Sequence, residues 1–457
     1  MLDREDAERL RRSPKRASFF CAALSSLAAE LRSRGSGLVI RRGSLRQTVT
    51  RLAREAQVDA VVWSWGYDGS LIERHRELQR AVEEAGLRAV LLHDAPALSP
   101  EDAKPARAEG DGYRAFAPYL AAWRQHAPSV VVSRLTFANS VPPSEAIPIP
   151  AEFGSAAEQA LKPAVATASE DAAAHVLAAF LRGPALAYAT HRNVPALATS
   201  RLSAHLSFGT ISARTILAAV AERAADPFLL AEERLSLDRF VAALARRDFF
   251  FQLAWFYPHS AREPLQERMR AFRFARSHRA LEAWRRGMTG YPLVDAGIRE
   301  LIATGTMHPR ARAVAASFLC FDLGVEWRTG QDVWDHLLVE DDPALATGNW
   351  QWIAGVGADL AQYPRIYNPR KQARRLDPSG TYIRHWIPEL ASLPPAELFE
   401  PDRAQQRAQL ALPLGGTLQY PPPIIDHDAV ARQFLARYSE FTRRSAGRWA
   451  SADRASR

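Results

Sequence analysis

Two tryptophans that follow an acidic run are placed where they could touch a cofactor and a substrate. The stretch PALATGNWQW, residues 343–352, carries Trp350 and Trp352 shortly after Glu340 and Asp342. Tryptophan is large and amphipathic, so it is usually found where it packs or stacks on another group. The pair can form a buried structural cluster, or it can face a cofactor and a substrate.

A group of hydroxyl side chains surrounds a cation within residues 192–212. Thr199, Ser200 and Ser203 flank Arg201 at the predicted start of a helix. Hydroxyls, unpaired backbone N–H groups and a cation at a helix start suit a phosphate or pyrophosphate. Serine and threonine that merely cap a helix give the same pattern, and capping is the commoner explanation.

Arginines lie beside aromatic and turn residues in three later segments, residues 246–258, 284–319 and 336–390. The first of these could equally be a core helix with one basic end. In the second, Arg310 and Arg312 follow a His-Pro turn. A buried Arg312 would need a carboxylate partner, which the acidic run could provide if the fold brings them together.

The elements that must position these residues change character along the chain. Residues 1–125 alternate between helical and strand-like patterns, which predicts an incomplete parallel, Rossmann-like sheet in an α/β domain. Residues 126–170 form a predicted linker, and residues 171–457 a predicted all-α domain. The predicted strands are 37–43, 59–65 and 88–94, and the predicted helices are 17–35, 46–58, 71–87 and 113–126.

Composition is ordinary for a globular protein, with 47% hydrophobic and 24% charged residues. The net charge of +9 favours a polyanionic partner such as nucleic acid, although an arginine-rich proteome gives the same balance. No apolar run reaches the ~18–20 residues of a membrane helix, and the charged N-terminus lacks a signal core, so we expect a cytoplasmic protein. Cys21 and Cys320 stand in no ligand pattern, so neither a metal site nor a disulfide is expected.

Several long motifs in order resemble the DNA photolyase/cryptochrome family, in particular class I deoxyribodipyrimidine photolyases. They are TSRLSAHLSFGTIS, GYPLVDAGIREL, TGTMHPRAR, GNWQW and RIYNPRKQARRLDPSGTYIRHWIPEL. The resemblance covers residues 185–395 strongly and the α/β portion weakly. It implies FAD held in a U shape by the helical domain. It also implies electron transfer from light-excited reduced flavin to a pyrimidine dimer flipped out of DNA.

Carried over by position, the resemblance implies that these residues contact FAD: Tyr188, Thr199, Ser200, Arg201, Leu202, Ser203, Arg247, Arg312, Glu340, Asp342 and Ala346. Glu340 replaces the usual aspartate but keeps the charge that could pair with Arg312. Ala346 stands where repair enzymes carry an asparagine facing flavin N5. Alanine can neither donate nor accept a hydrogen bond there, although the adjacent Thr347 could.

The resemblance also implies a chain of tryptophans that carries electrons between the flavin and the surface. Trp350 and Trp327 match its first two positions, and the outermost position falls on Phe274. Phenylalanine is much harder to oxidise, so this branch is predicted to be interrupted. Trp255, Trp334 and Trp284 could substitute, but the sequence does not give their distances.

The implied DNA-facing residues are Arg192, Arg246, Arg310, Trp352 and Gln372, and the implied partner is damaged duplex DNA bound by a monomer. Ala243 and Arg246 stand where dimer-repairing members have glutamate and tryptophan, and Pro309 and Ala313 replace asparagine and methionine. Stacking on an aromatic ring contributes ~1–3 kcal/mol per base. We therefore expect weak dimer repair at best, unless the guanidinium of Arg246 stacks or binds phosphate instead.

Family members begin with a strand carrying a WFRxDLR-like sequence that this chain does not show. We expect a truncated gene model, or else a degenerate antenna domain, so a folate or deazaflavin antenna chromophore is doubtful. Three functions remain open: a dimer-repairing enzyme, a cryptochrome-like photoreceptor without repair, and a structural relative without flavin. The intact phosphate segment argues against the last.

Overall fold

The computed structural model describes residues 4–103, 112–126, 168–274, 278–359, 364–403 and 419–455, the last eleven as backbone alone. The chain divides into two compact units. The first comprises Met1–His191, Ala198–Arg262 and Asp335–Thr347, and the second Arg192–Leu197, Glu263–Trp334 and Gly348–Arg457. Most of the predicted linker, 126–170, lies outside the described residues, and the predicted domain boundaries stay a prediction.

Helices dominate the described part of the chain. Up to residue 256 they are α1 Arg4–Arg12, α2 Pro14–Ser33, α3 Leu45–Glu55, α4 Gly69–Glu84, α5 Phe116–His126, α6 Glu170–Arg182, α7 Tyr188–His191, α8 Ser203–Phe208, α9 Ala213–Ala224 and α10 Ala231–Phe256. Beyond it they are α11 His278–Arg285, α12 Pro292–Thr304, α13 Pro309–Ser317, α14 Trp327–Asp335, α15 Pro343–Ile353, α16 Pro369–Leu376, α17 Thr381–Trp386, α18 Pro395–Leu398 and α19 His427–Ala455. Short 3₁₀ turns cover Pro184–Ala187, Pro258–Ala261, Glu267–Met269 and Pro388–Leu390, and a π-helical turn covers Phe318–Asp322.

Two parallel strands form the sheet of the first unit. The strands β1, Ala60–Ser64, and β2, Arg88–Leu92, pair in parallel with Ala60 opposite Arg88. The connecting helix α4 begins where the carboxylate of Asp68 accepts a hydrogen bond from the Leu71 N–H at 2.8 Å. The prediction of an incomplete parallel α/β portion followed by an all-helical region is confirmed.

The predicted strand at 37–43 is reduced, in the described part of the chain, to a single β-bridge position at Arg42, and no strand is formed over residues 37–41. Ile40 and Leu38 instead pack in a small hydrophobic cluster with Leu10 of α1 and Ala17 of α2. The apolar pattern was read correctly as a buried segment. The segment packs against helices and not within a sheet. Sequence periodicity alone does not distinguish these two environments for a short apolar run.

Helix α10 is the central element of the first unit. Its apolar side chains pack against α6, α8 and α9 around Leu237, Phe240 and Leu244. Asp248 is buried on the same helix and accepts hydrogen bonds from Ala97 N–H at 2.9 Å and from Trp123 Nε1 at 2.9 Å. The aromatic helix predicted within 246–258 is thus part of a longer helix that holds both the 95–98 loop and α5.

The second unit is organised around α12. Asp295, in the first turn of α12, accepts hydrogen bonds from the backbone N–H groups of Thr289 and Gly290 and so closes the Gly-Tyr-Pro turn before the helix. Gly290 has a φ of +80°, and a Cβ there would lie 2.4 Å from backbone atoms of Pro422. Only glycine therefore fits this turn.

Within the described residues, no single helix has the length and apolar character needed to cross a membrane. One bent pair of helical segments, Glu170–Arg182 and Pro184–His191, is long and apolar enough only when the two segments are counted together.

Candidate functional site

The predicted phosphate segment lies in the first unit, where an extended loop enters α8. Ser203 is the first residue of α8, and the N-cap residue, Leu202, makes no side-chain capping hydrogen bond. The first backbone N–H groups of any helix lack partners within the helix, so this start presents donors suited to an anion. Arg201 is exposed and has a φ of +53°, a backbone conformation that costs a non-glycine residue ~1–2 kcal/mol.

The acidic segment, defined as residues 335–342, is fixed beside α8 within the same unit. The Asp341 N–H donates to Ser207 Oγ of α8 at 2.8 Å. From the other side, Arg16 donates to the carbonyl oxygens of Asp335 and Glu340 at 3.0 and 3.2 Å. The structure therefore brings the predicted phosphate segment and the predicted flavin-contacting carboxylates together.

Arg247 and Asp342 form the charged centre of this arrangement. Arg247 is buried and donates to the carbonyl oxygens of Ala95 at 2.5 Å and Leu206 at 3.4 Å. No described residue accepts a hydrogen bond from its buried Nε. Burial raises the pKa of Asp342 to about 6, while Arg247 acts in the opposite direction.

Tyr188 and Leu202 belong to the hydrophobic cluster beneath this centre. The Tyr188 ring meets Phe240 at 5.3 Å between centroids, and Leu202 is 1% exposed. The Leu202 side chain therefore packs in the core, so only its backbone can face a ligand. The open helix start, the unsatisfied Arg247 Nε and the carboxyl of Asp342 fit a group with anionic phosphates and a polar ring, as FAD has.

Ala346 and Thr347 lie near the start of α15. The Ala346 N–H is bonded to the Asp342 carbonyl at 2.9 Å, as helical geometry requires, and Thr347 is buried. Trp350 follows Ala346 by four positions, so the two residues project from the same side of α15. The role predicted for Ala346 stays a prediction.

Three tryptophans of the second unit form one buried cluster. The Trp350 ring lies 4.4 Å from Trp334 between centroids, and Trp284 lies 6.0 Å from Trp334 and 6.4 Å from Trp350. A Cβ on Gly330 would lie 2.3 Å from the Trp350 ring, so α14 must carry glycine to let this ring in. Trp334 and Trp284, two of the three predicted substitutes, are therefore direct neighbours of Trp350.

The other predicted electron carriers have different surroundings. Trp327 is 1% exposed at the start of α14, and its ring lies 5.4 Å from the Arg328 guanidinium. Phe274 packs against Phe272 at 5.2 Å in a phenylalanine-rich contact. Trp255 belongs to the first unit, where it meets Trp65 at 5.0 Å.

The predicted DNA-facing arginine of α13 is positioned by the turn before this helix. His308 caps α13 by accepting from the Arg310 N–H at 3.1 Å, and Arg310 Nε donates to Asn193 Oδ1 at 2.8 Å. Arg312 donates from Nε to the Met307 carbonyl at 2.8 Å. The pairing of Arg312 with Glu340 stays a prediction.

Trp352 differs sharply from Trp350 although both lie on α15. It is partly exposed, lines a pocket with Tyr438, and its ring lies 4.9 Å from the Arg365 guanidinium. Residues two positions apart on an α-helix point in directions about 200° apart, so Trp350 can be buried while Trp352 is partly exposed. Gln372 lies on α16, also partly exposed, and accepts from Arg375 at 2.7 Å.

Arg246 and Ala243 lie on α10 in the first unit. The Arg246 guanidinium stacks on the ring of Phe116 at 3.7 Å, as cation–π geometry favours. Arg192 and Ala313, like Ala243, are partly exposed, and Pro309 is exposed as the first residue of α13. The predicted contact of Arg246 with a lesion base or with phosphate stays a prediction.

Sequence reasoning missed the residues that hold the acidic segment. Ser13 Oγ donates to the Leu338 carbonyl at 3.0 Å, and Arg9 pairs with Asp341 at 2.5 Å and Asp68 at 3.2 Å. Arg9 and Arg16 stand in a charged N-terminal run that reads as a solvated face. The proline after Ser13 was the available signal, since Ser-Pro marks a helix start.

Comparison with known proteins gives concordant matches. A family model described as the FAD binding domain of DNA photolyase matches residues 240–440, and one described as DNA photolyase matches residues 1–142. A deoxyribodipyrimidine photo-lyase from Halobacterium salinarum is 32% identical, covering 94% of this chain and 89% of that protein.

Two solved structures share the fold over most of their length. A class III photolyase from Agrobacterium tumefaciens superposes with a TM-score of 0.77 at 28% identity, covering 94% of this chain and 89% of that one. A cryptochrome from Synechocystis gives a TM-score of 0.81 at 26% identity, covering 93% and 88%.

Proposed function

The chain belongs to the DNA photolyase and cryptochrome family, and from that premise we propose that it repairs cyclobutane pyrimidine dimers in DNA with light. The predicted cofactor, FAD, is confirmed by the match to the FAD binding domain of DNA photolyase over residues 240–440. The proposed partner is damaged duplex DNA, bound by a single chain. The curated relative from Halobacterium salinarum is named a deoxyribodipyrimidine photo-lyase, which supports this activity.

The contrast between Trp350 and Trp352 carries the proposal. One ring is buried against two further tryptophans, and the other is partly exposed at a pocket on a different side of α15. A buried ring among oxidisable rings suits electron transfer, and a partly exposed ring suits stacking on a base. One helix thus presents both functions that light-driven base repair needs.

The residues of the first unit would hold FAD. Ser203 and the start of α8 would bind its phosphates, and Arg247 and Asp342 its polar ring atoms. When bound, FAD supplies light-driven one-electron chemistry. The rings of Trp334 and Trp284 lie close to Trp350. Either neighbour could therefore give an electron to an oxidised Trp350.

At two lesion-binding positions this chain lacks the side chains that dimer-repairing members of the family carry. Ala243 cannot hydrogen-bond a base, and Arg246 is stacked on Phe116 where those members present tryptophan. Losing an aromatic stacking partner removes ~1–3 kcal/mol of base binding. We therefore expect slow repair that is limited by weak dimer binding.

The test illuminates the reduced, FAD-loaded chain with an oligonucleotide that contains one thymine dimer, and it measures dimer loss against a dark control. Slow but light-dependent loss supports repair. Replacing Ala243→Glu together with Arg246→Trp should increase dimer affinity about tenfold or more. Absence of dimer loss in both proteins, with normal flavin reduction by light, would exclude repair.

A photoreceptor without repair is the second candidate. The structural similarity to the Synechocystis cryptochrome and the engagement of Arg246 by Phe116 favour it. Its signature in the same experiment is light-driven flavin reduction without dimer loss. A chain that shows no flavin absorption after incubation with FAD would contradict both candidates.

A further inference from the structure

A tyrosine, a histidine and a glutamate form a hydrogen-bonded series at the carboxyl ends of β1 and β2. Tyr67 follows β1 and is 5% exposed, and its hydroxyl lies 2.5 Å from His93 Nδ1, just after β2. His93 Nε2 lies 3.1 Å from the Glu101 carboxylate. All three residues belong to the first unit and lie outside the residues assigned to flavin and DNA.

The hydrogen-bond roles in this series follow from the carboxylate. An ionised carboxylate only accepts, so the proton of neutral His93 lies on Nε2 and points to Glu101. The Nδ1 atom is then an acceptor, and the Tyr67 hydroxyl donates to it. The buried phenol is therefore paired with a base that can take its proton, and that base is supported by a carboxylate.

Oxidisable rings surround this series. Trp255 lies 6.2 Å from Tyr67 and 5.0 Å from His93 between centroids, and Trp65 lies 5.0 Å from Trp255. Both tryptophans are partly exposed, so an oxidising equivalent can reach Trp255, the neighbour of Tyr67, either directly or through Trp65.

We propose that Tyr67, His93 and Glu101 form a proton-coupled redox site. Tyr67 gives one electron to the cation radical of Trp255, which returns to neutral tryptophan. The O–H bond of Tyr67 breaks and its proton forms an N–H bond at His93 Nδ1, leaving a neutral tyrosyl radical. Glu101 stabilises the resulting imidazolium.

The oxidant that first reaches Trp255 is any strong one-electron oxidant. The site does not depend on the proposed function, because a one-electron oxidant in solution can reach the partly exposed Trp255. Burial, with Glu101 as the next cause, raises the pKa of Tyr67 above its usual range. Burial therefore disfavours both charged intermediates, the tyrosinate that forms if the proton leaves first and the phenol radical cation that forms if the electron leaves first. The electron and the proton must leave together.

The first unit contains a matched control in Tyr119. This tyrosine of α5 is also fully buried, and its hydroxyl has no hydrogen-bond partner among the described residues. It lies among aromatic rings as well, 5.3 Å from Phe249. Tyr119 is therefore as buried as Tyr67, but among the described residues its hydroxyl has no histidine to accept its proton.

The test generates the oxidant outside the protein. A soluble ruthenium photosensitiser with an electron acceptor is flashed with green light, which oxidised flavin hardly absorbs, in the presence of the FAD-loaded chain. Transient absorption and high-field electron paramagnetic resonance then follow tyrosyl radicals. We expect a long-lived tyrosyl component that forms more slowly in D₂O than in H₂O.

Substitutions identify the residue that carries this tyrosyl radical. Tyr67→Phe should abolish it, and Tyr119→Phe should leave it unchanged. His93→Gln retains an acceptor for the Tyr67 hydroxyl but not a base, so it should abolish the component too. If Tyr67→Phe fails to fold, His93→Gln and Glu101→Gln still test the proposal. Glu101 is half exposed, so its replacement should not disturb folding.

The proposal is overturned if the component survives in folded Tyr67→Phe. It is equally overturned if His93→Gln and Glu101→Gln both form it at the wild-type rate, since the series would then be only a structural hydrogen-bond network. Because the oxidant is external, failure here leaves dimer repair unaffected, and failure of dimer repair leaves this site testable.

Discussion

At the scale of single residues, Asp342 is the carboxyl group whose protonation bears most directly on ligand binding. Its pKa is raised to about 6 by burial, against the opposing effect of Arg247. Below that pH the group is a neutral acid, and above it a carboxylate. Only the carboxylate can both accept hydrogen bonds from a ring N–H and neutralise the buried arginine.

We predict that FAD binding weakens as the pH falls through about 6. If FAD prefers the carboxylate, binding releases a proton below the pKa, and the Kd rises by up to about tenfold per pH unit. Fluorescence titration of the flavin-depleted chain across this range measures the effect. Asp342→Asn should flatten the curve and weaken binding at neutral pH.

The matched control is Asp238→Asn, which removes a surface carboxylate of the same unit that pairs with Arg124. It should keep the wild-type pH dependence. An unchanged pH dependence in Asp342→Asn would show that another group controls FAD binding.

At the scale of secondary-structure elements, α1 and α2 act as a support for the acidic segment. Arg16 is 2% exposed and reaches two carbonyl oxygens of that segment, and Ser13 and Arg9 hold it at further points. The side chains of Glu340 and Asp342 can keep a fixed direction only if this backbone is held. The support is formed entirely within the first unit.

Replacing Arg16→Met should therefore affect stability and FAD binding together. The buried carbonyls of Asp335 and Glu340 would lose their donor, which costs about 1–3 kcal/mol in the free energy of unfolding. A loosened segment should also raise the Kd for FAD about tenfold, the equivalent of about 1.4 kcal/mol. Denaturant unfolding and flavin titration measure the two effects.

Arg12→Met is the control, because Arg12 is exposed at the end of α1. It should leave both quantities near wild type. A stability loss in Arg16→Met with unaltered FAD affinity would mean that α1 and α2 stabilise the unit without positioning the site.

At the scale of the whole molecule, the sequence predicted contacts that are local and missed those between distant segments. The paired strands and the aromatic helix follow from periodicity over a few residues. The separate roles expected of Trp350 and Trp352 come from the family resemblance and stay a prediction. Arg16 and Asp335 are 319 positions apart, and Trp123 and Asp248 are 125 apart. No local pattern encodes such pairs, and a single sequence gives no covariation that would reveal them.

Net charge is a property of the whole chain that can be counted directly from the sequence. The net charge of +9 predicts that binding to DNA is driven in part by the release of counterions from phosphates. Arg310 is the predicted DNA-facing residue with the best-defined surroundings, since His308 caps its helix and Asn193 accepts a hydrogen bond from its Nε. A phosphate contact and a base-specific contact differ in how they respond to salt.

We predict that affinity for undamaged duplex DNA falls linearly with salt on a double-logarithmic plot, and that Arg310→Ala lowers the slope by about one. The measurement is fluorescence anisotropy with a labelled duplex over a series of salt concentrations. Arg444→Ala is the control, since this exposed arginine of α19 is paired with Glu440 one turn away. If Arg310→Ala weakens binding only to dimer-containing DNA and leaves the slope unchanged, Arg310 contacts the lesion and not the phosphates. Equal slopes and equal affinities for all three proteins would place the DNA-binding surface elsewhere on the molecule.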